Sequence, residues 1–165
     1  MSILELEDFD MHAGIVSVLN EKELGLEAFS PLFVYIVIWA AENDFLGMRL
    51  KNDKSFISSY RALLDSKISF STFVEVSLQN KLEEDYFNSE VLEFIIDYIE
   101  IDGYMEDLTR YFRVNMGLLP ESIEKAKDFK SVIDRSMENY KINKENFPEL
   151  AVFTDPKELI KQQAM

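Results

Sequence analysis

The residues with the most chemical potential in this chain are carboxylates crowded into one window. Between Lys81 and Arg110 there is no positively charged residue. The ten acids of this window are Glu83, Glu84, Asp85, Glu90, Glu93, Asp97, Glu100, Asp102, Glu106 and Asp107. The repulsion among carboxylates at this density must be offset, which a bound metal ion or a basic partner could do. Paired carboxylates could also hydrolyse a substrate.

The sequence contains few of the residue types on which enzymes rely for catalysis. The sole histidine, His12, stands among acidic and apolar residues near the N-terminus, which favours a surface or capping role. Without it no Ser-His-Asp triad can be built, and the sequence has neither a glycine-rich phosphate loop nor a Gly-x-Ser-x-Gly elbow. We therefore expect a protein that is not an enzyme. A hydrolase that uses carboxylates alone is the less favoured alternative.

The spacing of the acids also disfavours a metal site. Glu100, Asp102 and Gly103 fit the third, fifth and sixth positions of an EF-hand loop that would begin at Tyr98 and end at Thr109. The first and twelfth positions of such a loop require carboxylate ligands, which tyrosine and threonine do not supply. A di-iron bundle needs two Glu-x-x-His pairs, and the chain has one histidine. We expect no metal ion and no other cofactor.

The acidic window is then interpreted as a surface. Glu93 and Asp97 form a like-charge pair at i,i+4, which costs about 0.2–0.5 kcal/mol when no lysine intervenes. We predict a docking face on which acids steer a basic protein while Phe94 and Tyr98 anchor it. A face that is only solvated is the alternative. The predicted partner-binding residues are Glu90, Glu93, Phe94, Asp97, Tyr98, Glu100, Asp102, Glu106 and Asp107.

The elements that position these residues are predicted to be helices, because glycine and proline are scarce and apolar residues recur every three or four positions. Ser30 and Pro31 open an almost wholly apolar segment, predicted as a buried central helix at about 31–46. Its β-branched residues leave a buried strand as the minor alternative. Asp53 is predicted to cap a second helix. Residues 68–78 fit a helix but also alternate like a minor β-strand.

Two further helices are predicted within the acidic window, and a long one follows it. Ser89 is expected to cap a helix that ends at Glu100, with an apolar face and a stripe of acids opposite. A turn at Asp102-Gly103 precedes the next helix. Residues 120–140 have the periodicity of a long amphipathic helix with mixed charges.

Together these elements predict one all-α domain, a compact multi-helix bundle around the central helix, over residues 1–140. Residues 141–165 are predicted to be a C-terminal extension. It should end in a short helix from Pro156 to about Gln163, because an aspartate cap is followed three residues later by glutamate. Whether this extension docks on the domain is left open.

Composition limits the class of protein further. The chain has 165 residues, a net charge of −14, 47% hydrophobic residues and no cysteine. This charge argues against nucleic acid or an anionic membrane as a partner, since counter-ion release requires cations on the protein. The longest apolar run, Leu32–Ala41, is too short to span a bilayer, and the N-terminus has no signal-peptide pattern. We expect a cytoplasmic protein.

Two segments resemble a known family. Ile36–Leu46 is similar to a Leu-Ala-Trp-Ala-Ile-Glu-Asn-Gly-Leu segment of small, acidic, helical bacterial proteins of unknown function. Asp85–Phe94 resembles the Glu-Asp-Leu-Asn-Glu-Glu-Gly-x-x-Phe segment of that family, with matches at Asn88, Glu90 and Phe94. Several such proteins resemble immunity proteins of bacterial toxin systems. The resemblance therefore implies a role in toxin immunity, and it implies no catalytic residues.

The leading functional hypothesis is an immunity protein that neutralises a basic bacterial toxin, such as a nuclease. A toxin that grips phosphates is basic, so an acidic inhibitor would associate quickly and could occupy the phosphate site. The alternative from another class is an adaptor or secretion-chaperone-like homodimer, and the sequence leaves the oligomeric state open. A second acidic group could form the docking face instead, and it consists of Glu5, Glu7, Asp8 and Asp10.

Overall fold

A computed structural model describes residues 1–9, 25–114, 118–146, 153–155 and 157. These ranges contain seven α-helices and a two-stranded sheet, so the predicted all-α class is confirmed with a small β addition. The strands are β1 (Ser2–Glu5) and β2 (Lys81–Glu83). The helices are α1 (Ser30–Glu42), α2 (Met48–Lys51), α3 (Lys54–Leu64), α4 (Phe70–Leu78), α5 (Leu92–Glu100), α6 (Gly103–Phe112) and α7 (Ile123–Asn146).

Helix α1 is the buried centre of the fold, as predicted, and the alternative of a buried strand is wrong. It ends at Glu42 rather than near residue 46, because the chain turns at Asp44, whose φ is 58°. Every residue from Ser30 to Ala40 is buried, and the helix packs mainly against α7 and α4. Pro31 lies in its first turn, where the missing N–H leaves no hydrogen bond unmade. The one indole of the core donates its Nε1–H to a carboxylate of α7, at 2.7 Å between Trp39 and Asp134.

Capping residues fix the beginnings of α3 and α4. The Asp53 carboxylate accepts hydrogen bonds from the backbone N–H groups of Ser55 and Phe56, which confirms the predicted cap. The Ser69 hydroxyl accepts in the same way from Thr72 at the start of α4. Residues 70–78 are therefore helical, and the minor β-strand considered for 68–78 is wrong.

The sheet was not expected from the sequence. Strand β1 runs antiparallel to β2, and Leu4 pairs with Leu82 while Glu5 pairs with Lys81. Leu4 and Leu82 are both buried, so the pairing brings the N-terminus onto the core. Glu5 and Asp8 consequently lie beside the acidic window rather than on a separate surface, and Asp10 falls outside the described residues.

Helix α5 begins later than predicted. Ser89 does not cap it, because the chain is still tied to the segment after α1 at this point. The Asn88 N–H donates to the Phe45 carbonyl at 2.9 Å, and Leu46 and Phe87 form an isolated β-bridge. The helix starts at Leu92 with no side-chain cap.

Helix α7 continues to Asn146, through the point at residue 140 where the sequence analysis ends the helical domain. Beyond it, Phe153–Asp155 lies against the helices. The terminal helix predicted from Pro156 to Gln163 falls outside the described residues except at Lys157. Among the helices described above, none combines the length and apolar content that crossing a bilayer would require.

Candidate partner-binding surface

The two aromatic residues predicted to anchor a partner are part of the core. Phe94 is 3% exposed and Tyr98 is fully buried, so neither reaches the surface, and their predicted role as exposed anchors is wrong. Their rings stack on each other with centroids 4.9 Å apart. The Phe94 ring also contacts Trp39 of α1 and Tyr140 of α7, which completes an aromatic cluster between three helices.

A segment near the C-terminus covers this cluster. The Phe153 ring lies 5.3 Å from the ring of Tyr98 and stacks on that of Tyr140 at 5.6 Å. Gly103 leaves the space for it, since a Cβ there would lie 2.7 Å from the Phe153 Cδ2 atom. The side-chain amide of Asn139 donates to the Phe153 carbonyl at 3.3 Å. The described segment Phe153–Asp155 of the extension therefore docks on the domain, through a residue that has no distinctive pattern around it in the sequence.

Two acids of the predicted face accept hydrogen bonds from tyrosines of this cluster. The Tyr140 hydroxyl donates to Asp97 Oδ2 at 2.6 Å, and the Tyr98 hydroxyl donates to Asp107 Oδ2 at 2.7 Å. Ser136 donates to the same Asp107 oxygen. Burial raises the pKa of Tyr98 and of Tyr140 well above the usual value, and the neighbouring aspartates raise the pKa of both further. Asp97 and Asp107 therefore stabilise the fold.

Helix α7 also supplies a cation to the acidic stripe. Lys144 forms an ion pair with Glu93, and its Nζ lies 3.1 Å from the Tyr140 hydroxyl. The like-charge pair of Glu93 and Asp97, uncompensated within α5, is thus offset by a residue about 50 positions later in the sequence. The periodicity of α5 alone could not have revealed this partner.

The N-terminal end of the acidic window is compensated in the same way. Arg49 Nη1 lies 2.5 Å from Glu83 and 2.8 Å from Asp85, and its guanidinium sits over the ring of Tyr86 at 5.0 Å. Hydrogen bonds from Lys81 and from Arg49 hold the pKa of the Glu83 carboxyl below its usual value. These acids are ion-paired parts of the fold.

Three of the predicted acids have no such partner. Glu90, Glu100 and Asp102 are exposed, and none makes an ion pair or a side-chain hydrogen bond with the residues that the structure describes. Between the last two lies Ile101, which is 48% exposed and is a large apolar side chain that the sequence analysis did not select. Asp102 adopts a left-handed conformation with φ of 62°, which turns the chain sharply between α5 and α6.

The unpaired end of the window borders a groove of about 760 Å³. Its apolar lining comes from Leu4 and Phe9 at the N-terminus, Ile99 of α5 and Met105 of α6. The polar lining residues are Asp8, Asp102, Glu106, Thr109 and Arg110. The groove thus joins the two acidic groups that the sequence analysis treated as alternatives.

The remaining predicted acid, Glu106, lies on this groove and pairs with Arg110 at 2.7 Å. Both side chains are about 70% exposed, at 68% and 72%, so the pair is solvated and adds little stability. Helical spacing in α6 already places Asp102, Glu106 and Thr109 on one side. The contribution of β1 could not have been foreseen, because a four-residue strand has too little alternation to detect.

The described ranges contain no cluster of three or more histidine, cysteine, aspartate or glutamate side chains placed to hold a metal ion. His12 lies outside those ranges. The features that remain at the described surface are the apolar groove, the unpaired carboxylates of Glu100 and Asp102, and the exposed side chain of Ile101.

These features define a class: a small, acidic, mostly helical domain with an apolar groove that acids border. The chain belongs to a family described as a domain of unknown function (DUF7832), whose model matches residues 16–125. The matched segment contains the central helix, the acidic window and the start of α7. No curated protein and no solved structure is significantly similar to the chain.

Proposed function

We propose that this protein binds a basic protein partner and neutralises it, as an immunity protein does for a bacterial toxin. The observation that supports this most is the groove described above, because its apolar lining adjoins three exposed carboxylates, of which Asp102 has no partner among the described residues. Asp8, Asp102 and Glu106 line it. Unpaired Glu100 and exposed Ile101 directly precede Asp102 in the sequence.

The charge of this protein indicates which kind of partner it would bind. A net charge of −14 gives the whole molecule a field that attracts cations and repels anions. The groove adds apolar surface, which a purely electrostatic contact would not need. The proposed occupant is a segment with an apolar side chain flanked by lysine or arginine. Burial of the apolar group would slow dissociation, and the acids would speed association.

The proposed face lies further along the acidic window than the face predicted from the sequence. Asp97 and Asp107 accept hydrogen bonds from buried tyrosines, and Glu93 pairs with Lys144, so a partner would have to break these contacts to use them. Glu100 and Asp102, at the junction of α5 and α6, make no such contacts with the described residues. The proposed contact residues are therefore Asp8, Glu100, Ile101, Asp102, Met105 and Glu106.

A toxin that acts on nucleic acid fits this face well. Such an enzyme presents lysine and arginine to phosphates, so an acidic surface can cover the same site and exclude the substrate. A second copy of this chain fits poorly, because two −14 molecules would bring like charges together at the groove. The homodimer is thus the less favoured outcome of the test below.

The experiment expresses the product of the reading frame next to the gene for this chain, where the proposal expects a basic, toxin-like domain, and measures its association with this protein. The variant is Asp8→Asn/Asp102→Asn, in which asparagine tolerates the left-handed backbone at 102 and can still accept the hydrogen bond from the Glu5 N–H at position 8. The matched control is Glu75→Gln/Glu124→Gln, with the same net charge and both residues outside the groove.

We expect the groove variant to associate about tenfold more slowly at low salt, with a smaller difference at high salt. The control should keep the wild-type rate within a small factor. Equal rates for the two variants would show that only net charge matters and would overturn the proposal. A dimer that is lost in the groove variant would favour the adaptor instead.

A further inference from the structure

A second cleft also borders α6, and its lining places three arginines beside three acids, Glu106, Asp107 and Asp155. Its volume is about 710 Å³, and it is bounded by α6, α7 and Phe153–Asp155. Its lining includes Arg110, Arg113 and Arg135. These are three of only five arginines in the chain, the others being Arg49 and Arg61. In a protein of this net charge, such a concentration of guanidinium groups needs an explanation.

Two of these arginines are not used by the fold. Arg113 and Arg135 form no ion pair with any acid in the ranges that the structure describes. Arg113 ends α6 in a left-handed conformation with φ of 56°, where its backbone N–H bonds to the Thr109 carbonyl. Arg110 is shared, because Glu106 pairs with it from within the same helix.

The acids at this cleft are already engaged elsewhere. Asp107 accepts hydrogen bonds from Tyr98 and Ser136, and Asp155 accepts one from the Lys157 N–H. The rest of the lining is largely neutral and polar, and it includes Ser131, Asn139 and Thr154. A ligand that enters the cleft would therefore meet two unpaired guanidinium groups and neutral hydrogen-bonding side chains, beside the hydrogen-bonded carboxylates of Asp107 and Asp155.

We propose that this cleft binds a small organic anion through its phosphate or carboxylate groups. A guanidinium group presents a planar fork of donors that matches the oxygens of both groups and binds them more strongly than neutral donors do. The volume falls in the range of small-molecule sites, about 300–1,000 Å³. The arginines must attract the anion locally, because the field of the whole protein repels it.

The test follows the arginine side chains by nuclear magnetic resonance. With five arginines, each Nε–H signal can be assigned from a single Arg→Gln variant. The probes are pyrophosphate for the phosphate arm and citrate for the carboxylate arm, with sodium chloride at matched ionic strength as the salt control. We expect saturable shifts at Arg110, Arg113 and Arg135, and no saturable shift at Arg61.

Two variants then separate a site from general attraction. Arg113→Gln/Arg135→Gln should weaken binding about tenfold or more, because it removes two charge-assisted contacts, whereas Arg61→Gln should leave it unchanged. Glu106→Gln should tighten binding because it releases Arg110, and the charge-matched Glu124→Gln should do so less. Shifts that are linear in concentration, or equal at all five arginines, would overturn the proposal.

Whichever probe shifts the signals more strongly identifies the favoured oxyanion. Binding of either one supports the site, since guanidinium recognises both. This inference is independent of the proposed partner, because the groove variant Asp8→Asn/Asp102→Asn leaves every residue of the cleft in place. It should bind the anion as the wild type does.

Discussion

The two halves of the acidic window differ in what approaches them from the rest of the chain. On the half that faces α7, Glu93 meets Lys144, while Asp97 and Asp107 accept hydrogen bonds from buried tyrosines. On the half that faces the groove, Glu100 and Asp102 have no partner among the described residues, and Glu106 pairs only with the exposed Arg110. The residue types and spacing are alike in both halves, so local pattern does not decide whether a carboxylate supports the fold or is available to bind.

The difference has a physical consequence for stability. A carboxylate that holds a buried hydroxyl leaves an unsatisfied donor behind when it is removed, which is costly. A solvated carboxylate beside others of the same sign relieves repulsion when it is removed. The two halves should therefore respond in opposite ways to the same chemical change.

Truncation of one apolar side chain in each half, Phe94 and Ile101, provides the strongest contrast. Phe94→Ala should lower the free energy of unfolding by about 3–5 kcal/mol, because it removes a buried ring from the core. Ile101→Ala, at a residue that is 48% exposed, should change it by less than about 1 kcal/mol. Urea denaturation of both variants gives the two values. A small loss for Phe94→Ala would mean that Phe94 is a surface residue after all.

The buried tyrosines of the α7 side predict a loss of stability in alkali. Burial raises the pKa of Tyr98, Tyr104 and Tyr140 in the folded state, whereas the unfolded chain titrates near the usual value of about 10. Below about pH 10 both states hold these protons, and the stabilisation is fully present. Above it the unfolded state releases them first, so the free energy of unfolding falls as the pH rises.

The expected fall over the first pH unit above 10 is up to about 1.4 kcal/mol for each tyrosine, or about 4 kcal/mol for the three. Denaturation at a series of alkaline pH values measures it. The slope should be smaller in Tyr98→Phe than in the wild type, whatever the absolute stability of the variant. A free energy of unfolding that stays flat through this range would contradict the burial of these hydroxyls.

Much of the fold could be predicted because it is encoded locally. The apolar run after Pro31 and the caps at Asp53 and Ser69 act within a few residues of the helices that they define. The start of α5 could not be predicted, since Ser89 is held outside the helix by backbone pairing to a distant segment. The sheet was missed for the same reason, as its two strands lie about 80 residues apart.

The burial of the two predicted anchors could not be decided from the sequence. The periodicity of α5 put Phe94 and Tyr98 at the edge of its apolar face, where either core or surface was compatible with the pattern. Phe153, which is remote in the sequence, packs on both rings and covers them. Conversely, Ile101 became exposed because the chain turns at Asp102.

The most direct test of this division compares two single variants of equal charge change, Asp107→Ala and Glu100→Ala, by urea denaturation at neutral pH. Asp107→Ala should lower the free energy of unfolding by about 1–3 kcal/mol, because the hydroxyl of the buried Tyr98 loses its acceptor. Glu100→Ala should leave it within about 0.5 kcal/mol of the wild type or raise it slightly. Equal losses in both variants would contradict the division of the acidic window into a half that supports the fold and a half that is free to bind.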